Sequence, residues 1–421
     1  MQLKGSKARI LVSGAWLLLV SVGASANSLT LSEAEQTALA ADPMIQAYEK
    51  QSLSYQEQAI ADESWADPKV SMGTMNLPGN DLDPANQGML ELKIEQMLPR
   101  GDSNQIKRNK TELMAKGSDS AAQNRKLEVL REVRLAWLDT WYWQQSLTKL
   151  TESRYLFESL RSVSESMYRQ GKKSQQDLIS AELGLARLDD RILSSESSLN
   201  ESRAKLNRWL GEASVMELSS KLPDKSSQPL PSIKAVKAHP LVNSEELVVQ
   251  QSEQDVALAK EAYKPQWGAE IKYGRSMSDM SSSMGSDSRD QYSLMLMVDI
   301  PLFTGNRQDR QLAASHYQRE AATFRKSELL RNLLGEAQQE HARFNGLQKR
   351  QKQYQKILLP QARRQAESTL NAYQSDASDF GSVMQSYIEE LNLQIDYLRL
   401  QADTLQSKAK LDYLMPGETA L

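Results

Sequence analysis

The sequence predicts a mostly α-helical chain to which four short β-strands contribute. Helical periodicity extends over long stretches: residues 104–169 contain no proline, and residues 178–209 place apolar or small side chains at spacings of three and four. Four short segments alternate strictly instead, most clearly QYSLMLMVDI at 291–300. A helix, a strand pair and two long helices also occur twice in that order, which predicts an internal two-fold repeat.

The N-terminal residues have the pattern of a secretory signal peptide. Lys4, Lys7 and Arg9 precede an apolar run from Ile10 to Val22, and Ala24-Ser25-Ala26 supplies small residues for cleavage. We therefore expect residues 1–26 to be removed on export. Asn27, rather than a cysteine, follows this site, so no lipid anchor is expected.

The composition restricts the classes of function. The 421 residues have a formal net charge of -3, which argues against a nucleic-acid partner. The chain contains no cysteine, so an exported form relies on packing or assembly rather than disulfides. Mean hydropathy is -0.57 and no apolar run reaches the roughly 18 residues of a membrane-spanning helix.

The repeat divides the chain into residues 27–225 and 226–421. "AADPMIQA" around Pro43 resembles "KAHPLVNS" around Pro240, and Pro68 and Pro265 follow at the same offset. Each proline pair marks the beginning or the end of a predicted helix. Each unit then continues with two predicted strands: residues 69–75 and 89–97 in the first, residues 267–274 and 291–300 in the second.

The alternation in the last strand defines two faces. The apolar side chains are Tyr292, Leu294, Leu296, Val298 and Ile300, and the alternating set is Ser293, Met295, Met297 and Asp299. In lipid the unpaired edges of a small sheet are costly, and closed barrels begin at about eight strands. Three chains would supply twelve strands, with the second set facing a water-filled lumen. A soluble hairpin layer on a helical bundle is the alternative.

Several motifs resemble one known family, the TolC-like outer-membrane factors of tripartite efflux systems. They are "ALAADPMI" in the first helix, "LPRG" and "IPLFTGNR" after the strands, and "YRQGKKSQQDLISAE" at 168–182. The last helix, residues 379–414, is similar to the heavy-metal-efflux branch. The resemblance covers nearly all of the chain after residue 26.

The resemblance implies a homotrimer in the outer membrane of a Gram-negative bacterium. A transmembrane β-barrel of twelve strands would continue into a long α-barrel of antiparallel coiled coils in the periplasm. A periplasmic adaptor (membrane fusion protein) and an inner-membrane pump of the RND type are the implied partners.

The far turns of the long helices form the adaptor-facing gate in this family. The resemblance assigns Gly171 and Asp177 to the first turn. The second departs from the family pattern, with Asp376 at the glycine position and Ser382 at the acid position. Asp376 and Asp379 are candidates for a ring of carboxylates; the alternative is that they cap the next helix.

We find no catalytic constellation or cofactor motif, so the sequence predicts a protein that is not an enzyme. His239, His316 and His341 are scattered, and are expected at the surface or at helix ends. The loop "MSDMSSSMGS" holds Met277, Met280 and Met284, whose thioethers suit Cu(I); flexible loop residues are the alternative reading.

The predicted function is a passive duct that exports small toxic solutes, heavy-metal cations among them, across the outer membrane. The alternative with the same fold is the duct of a type I protein or peptide secretion system. The alternative from another functional class is a structural trimeric coiled-coil protein.

Overall fold

The computed structural model describes residues 28–75, 89–211, 216–223, 230–276, 290–375 and 377–416. Within these ranges the chain consists of long helices and one four-stranded antiparallel sheet, which confirms the prediction of a mostly α-helical chain with four strands. The strands are β1 (Lys69–Met75), β2 (Met89–Met97), β3 (Gln266–Ser276) and β4 (Asp290–Asp299). The helices are α1 (Leu31–Ala41), α2 (Pro43–Glu63), α3 (Ser103–Arg169), α4 (Gln175–Leu210), α5 (Ile233–Lys237), α6 (Pro240–Glu261), α7 (Gln308–Gln353), α8 (Leu359–Gln374) and α9 (Phe380–Leu414).

Helix α3 is the longest element and lies where the absence of proline predicts it. Its 67 residues correspond to about 100 Å at 1.5 Å per residue. Gly101 precedes it with a φ of 52°, and Gly171 follows it with a φ of 69°. Both are left-handed conformations that glycine adopts without strain, so the chain turns sharply at each end of the helix.

The corresponding helix of the second half is interrupted once. A π-helical turn at Tyr354–Leu358 joins α7 to α8, just before Pro360. Proline has no N–H group and its ring collides with the carbonyl four residues earlier. A wider π turn relieves that collision, so the helix continues through the proline.

The helices next to the sheet follow the order of the strands. Helix α2 packs on α3, α3 on α6 and α6 on α7, while the sheet order is β1-β2-β3-β4. Helix α2 and strand β1 therefore lie at one end of the two layers, and α7 and β4 at the other. The described elements have the same order in both halves of the chain; the duplication and its boundaries at 225 and 226 stay a prediction.

The largest apolar core lies midway along α3. Trp137 is fully buried there with Val129, Val133 and Leu138. The indole N–H of Trp137 donates to the Leu29 carbonyl at 3.3 Å, and Leu29 forms a parallel bridge with Leu218. Trp137 thus packs in the apolar core and holds the segments around Leu29 and Leu218 against α3.

None of the helices in the described ranges has an apolar stretch sufficient to span a lipid bilayer.

Candidate functional site

The strand register assigns every side chain of the sheet to one of two faces. Directly opposed residues in antiparallel strands point to the same side. Ile271 is opposite both Ile94 and Leu294, whereas Lys272 is opposite Lys93 and Ser293. One face is therefore apolar and the other carries the charged and small polar residues, which we call the apolar face and the polar face.

Most side chains of the apolar face are exposed. It consists mainly of Val70, Met72, Leu90, Leu92, Ile94, Trp267, Ala269, Ile271, Tyr273, Tyr292, Leu294, Leu296 and Val298. Leu294 and Leu296 are each 72% exposed, and Ile271 in the inner strand β3 is 58% exposed. Contiguous exposed apolar surface of this kind is typical of a site that contacts lipid or another protein.

The polar face holds the residues that the sequence predicts for a lumen. Ser293, Met295, Met297 and Asp299 all lie on it, because their partners in β3 are Lys272, Glu270, Gly268 and Gln266. A Cβ atom on Gly268 would lie 2.5 Å from the Met97 sulfur and 3.3 Å from the Met297 methyl group. The glycine thus leaves room for two methionine side chains from the flanking strands.

Five charged side chains of the polar face form an ion-pair network across β2 and β3. Lys93 Nζ lies 2.5 Å from Glu270 and 3.3 Å from Glu95, while Lys272 Nζ lies 3.1 Å from Glu91. Glu270 is only 5% exposed. A buried carboxylate requires such a partner, since an unpaired buried charge is strongly destabilising.

Aromatic side chains lie near the two ends of the apolar face. The rings of Tyr273 and Tyr292 contact each other, with centroids 5.3 Å apart, toward the ends where the strands meet their loops. Trp267, at the opposite end, and Trp65, just before β1, are more than half exposed. Tyrosine and tryptophan favour membrane–water interfaces. Sequence reasoning placed Tyr292 on the apolar face but missed the grouping of aromatic residues at its two ends, although their position at strand ends is a readable signal.

Arg100 joins the sheet to the helices beneath it. Its guanidinium donates to Asp299 Oδ2 at 2.6 Å and to the Ala262 carbonyl at 3.1 Å. It therefore connects the end of β4 and the end of α6 to the turn that follows β2. Asp299, predicted as a lumen residue, serves in this junction on the polar face.

The first helical turn far from the sheet contains Gly171 and Asp177. A side chain at Gly171 would meet open space, so its positive φ rather than crowding requires glycine. Ser174 caps helix α4 by accepting a hydrogen bond from the Asp177 N–H at 3.3 Å. Asp177 lies in the first turn of α4, where a carboxylate favours the positive end of the helix dipole.

The second turn ends at Asp379, the N-cap of α9. Its carboxylate accepts hydrogen bonds from the Ser382 hydroxyl at 2.8 Å and the Ser382 N–H at 2.9 Å. The Ser382 hydroxyl and then its backbone N–H hold the pKa of Asp379 below the usual value. The capping alternative therefore describes Asp379, and Asp376 lies outside the described residues.

The two turns contact each other. Lys173 Nζ lies 4.7 Å from the centre of the Tyr373 ring, a cation–π distance, and Tyr373 packs edge-on against Phe380. Tyr373 and Phe380 are both buried. One compact aromatic contact thus joins the ends of both helical hairpins.

The remaining candidates give no chemical site. Met277, Met280 and Met284 lie outside the described residues, and within the described ranges no three His, Cys, Asp or Glu side chains are grouped to hold a metal ion. His239 caps α6 through its Nδ1 atom, as expected of a helix end, but it is fully buried beside Tyr413 rather than at the surface. His239 therefore lies at a helix end, one of the two expected places, and the sequence does not indicate that it is buried.

Comparison with known proteins identifies the fold. Residues 233–416 match the family model described as outer membrane efflux protein. None of the curated proteins matches the chain in sequence.

Solved structures match nearly the whole chain. CusC, studied for folding and transmembrane channel formation, has a TM-score of 0.79 at 14% identity over 91% of both chains. VceC, an outer membrane protein of Vibrio cholerae, has a TM-score of 0.75 at 16% identity over 92% of this chain and 96% of its own. MtrE, an outer membrane channel of Neisseria gonorrhoeae solved in its open state, has a TM-score of 0.75 at 13% identity over 92% and 89%. At these identities the similarity shows the fold.

Proposed function

Because the fold is that of outer-membrane channels and residues 233–416 match the outer membrane efflux protein family, we propose that this chain is the outer-membrane duct of a tripartite efflux system. Three copies form the duct, with twelve strands in the outer membrane and the long helices in the periplasm. A periplasmic adaptor and an inner-membrane pump of the RND type complete the exporter. The duct itself is passive, and the pump supplies the energy.

The observation that carries this proposal is a sheet with two unpaired edge strands and an exposed apolar face. In the described residues β1 pairs only with β2, and β4 pairs only with β3. Each unpaired backbone group in hydrocarbon costs several kcal/mol, so the edges need partners in a membrane. Pairing β4 of one copy with β1 of the next satisfies both edges and leaves the apolar face toward lipid.

The helical layer supports the same arrangement. Leu53 and Ile60 are at least half exposed on α2, and Tyr317 and Phe324 are more than 70% exposed on α7. These helices lie at the same two ends of the layers as β1 and β4. One neighbouring copy would therefore cover the exposed side chains and pair the strand edges together.

The two helical turns are proposed as the periplasmic mouth. In this proposal Gly171, Asp177, Asp376 and Asp379 face the adaptor. The contact between Lys173 and Tyr373 supports a closed state in which the hairpin ends hold together. Binding of the adaptor would separate them.

The cargo is proposed as small toxic solutes, with heavy-metal cations the first class to test. The similarity of residues 379–414 to the heavy-metal-efflux branch supports that order.

Single-cysteine labelling tests the lipid-facing assignment, because the chain contains no native cysteine. Ser293→Cys and Leu294→Cys are neighbours on opposite faces and form a matched pair. In lipid vesicles a membrane-impermeant maleimide is expected to label position 293 and spare position 294. Equal labelling of both positions would contradict the proposal, as would a monomeric mass in detergent without conductance in planar bilayers.

Gene deletion tests the cargo. Loss of the duct is expected to raise sensitivity to copper, silver, zinc or cobalt salts, and expression of the intact gene should restore resistance. Unchanged sensitivity to every metal would remove that cargo. A defect in protein export instead would favour the type I secretion duct.

A further inference from the structure

A row of four polar side chains crosses the polar face at one height. The register aligns Ser71 with Lys93, Lys93 with Lys272, and Lys272 with Ser293. We call these four residues the lysine row. Like charges directly opposite each other destabilise a sheet, so the two adjacent lysines need compensation.

Carboxylates from the neighbouring rows provide this compensation along the diagonals. Glu270, in the row nearer the helices, pairs with Lys93 at 2.5 Å, and Glu91, in the row nearer the loops, pairs with Lys272 at 3.1 Å. Each lysine of the pair therefore has one cross-strand carboxylate. With Glu95, which also pairs with Lys93, the network holds three carboxylates against two lysines, so the lysines offset most of its negative charge.

The carboxylates of these pairs are the more deeply buried partners. The Glu270 side chain is 6% exposed against 29% for Lys93, and the Glu91 side chain is 14% exposed against 30% for Lys272. On this face, solvent and solutes meet the ammonium groups first. The lysines thus cover negative charge that would otherwise face the solution.

We propose that Lys93 and Lys272 determine the charge selectivity of the pore. The inference rests on the proposed channel function and on the polar face lining the lumen. Three copies would place six ammonium groups at one height, against nine paired carboxylates in the rows on either side. The three rows together then carry a small net negative charge, and the intact channel favours small cations over anions only weakly at this level.

The proposal is tested by reversal potentials of purified trimers in planar bilayers under a KCl gradient. Dilute salt is required, because at about 0.1 M the Debye length is near 10 Å and wall charges still act inside a wide pore. K93Q/K272Q should raise the K⁺/Cl⁻ permeability ratio by about threefold or more, and E91Q/E270Q should lower it by a similar factor. K126Q removes one positive charge per copy from a half-exposed site on α3 and should leave the ratio unchanged.

A charge-balanced double variant separates electrostatics from disturbed folding. K93Q leaves Glu270 buried without its partner, whereas K93Q/E270Q removes both charges. The double variant should reverse the shift caused by K93Q alone, and all variants should retain heat-resistant trimers on gels.

Three outcomes would overturn the inference: an unchanged ratio in K93Q/K272Q, a shift of equal size in K126Q, or shifts of the same sign in the lysine and glutamate variants. Wild-type trimers that carry no current would overturn the channel function itself and this inference with it. A conducting wild type with insensitive variants overturns the inference alone.

Discussion

A lysine placed on the apolar face should prevent assembly, whereas a lysine one residue away should not. Leu294 lies on the apolar face opposite Ile271, and Met295 lies on the polar face opposite Glu270. Both side chains are more than half exposed in the single chain, so neither substitution creates a cavity. The two variants therefore differ in the surroundings that they reach in the proposed assembly.

The expected size of the effect follows from the position of Leu294 between the aromatic residues near the two ends of the apolar face. Tyr292 lies two residues toward the loops, about 7 Å along the strand. Val298, which is opposite Trp267, lies four residues toward the helices, about 14 Å along the strand. Leu294 thus falls within the apolar band. A lysine near the bilayer midplane of a β-barrel costs about 2–4 kcal/mol. In the proposed trimer, three copies bring the cost to about 6–12 kcal/mol.

Met295→Lys is the matched control. Its ammonium group would enter the polar face beside Glu270, where a cation finds a carboxylate and water. We expect this variant to assemble as wild type does, within about 1 kcal/mol.

The assay is the fraction of heat-resistant trimer recovered from outer membranes, with urea midpoints for the purified forms. Leu294→Lys is expected to give little trimer and a lower midpoint. Equal loss in both variants, or greater loss in Met295→Lys, would refute the assignment of the two faces.

Three further predictions concern the helical part and the junction. Burial lowers the pKa of His239 to about 4 from an unfolded value near 6.5, so stability is full above pH 6.5 and falls by about 3 kcal/mol per chain as pH drops to 4. His239→Asn keeps a capping acceptor and should flatten that part of the melting-temperature profile between pH 7 and 4; parallel profiles would contradict this. Arg100→Met removes the hydrogen bonds to Asp299 and to the end of α6, and should lower the free energy of unfolding by about 1–2 kcal/mol in urea titrations. The same substitution of an exposed arginine on α7 is the control and should leave the free energy of unfolding unchanged. Gly171→Ala places a Cβ at a positive φ, which costs about 1 kcal/mol, and should speed hydrogen exchange at the helical turn without changing trimer stability.

The elements with strong local periodicity were predictable from the sequence. The strands at 69–75 and 89–97 have the predicted bounds, and the helix expected from residue 104 to 169 begins one residue earlier. Alternation with period two and the absence of proline are properties of neighbouring residues, so one segment is sufficient to read them. The predicted boundaries of β3 and β4 differ from the observed ones by one or two residues. At these positions pairing with the adjacent strand, rather than composition, determines where the strand ends.

The contacts that depend on distant segments were not predictable. Strands β2 and β3 are separated by the helices α3 to α6, so the diagonal pair of Lys93 and Glu270 depends on a register that no local pattern fixes. The bridge between Leu29 and Leu218 has the same origin. The burial of His239 depends on Tyr413, at the far end of the chain.

The pattern of exposure distinguishes the two readings that alternation alone leaves open. A soluble sheet that covers a helical bundle buries its apolar face and exposes its polar one. The central strand β3 has the reverse pattern, with Ile271 58% exposed and the adjacent Glu270 only 5% exposed. The charged side chains of β2 and β3 pair on the polar face, while apolar side chains such as Ile271 and Leu294 are more than half exposed. Since such a face cannot remain in water at low free energy, its solvent has to be lipid or another protein, and the aromatic residues at both ends favour lipid.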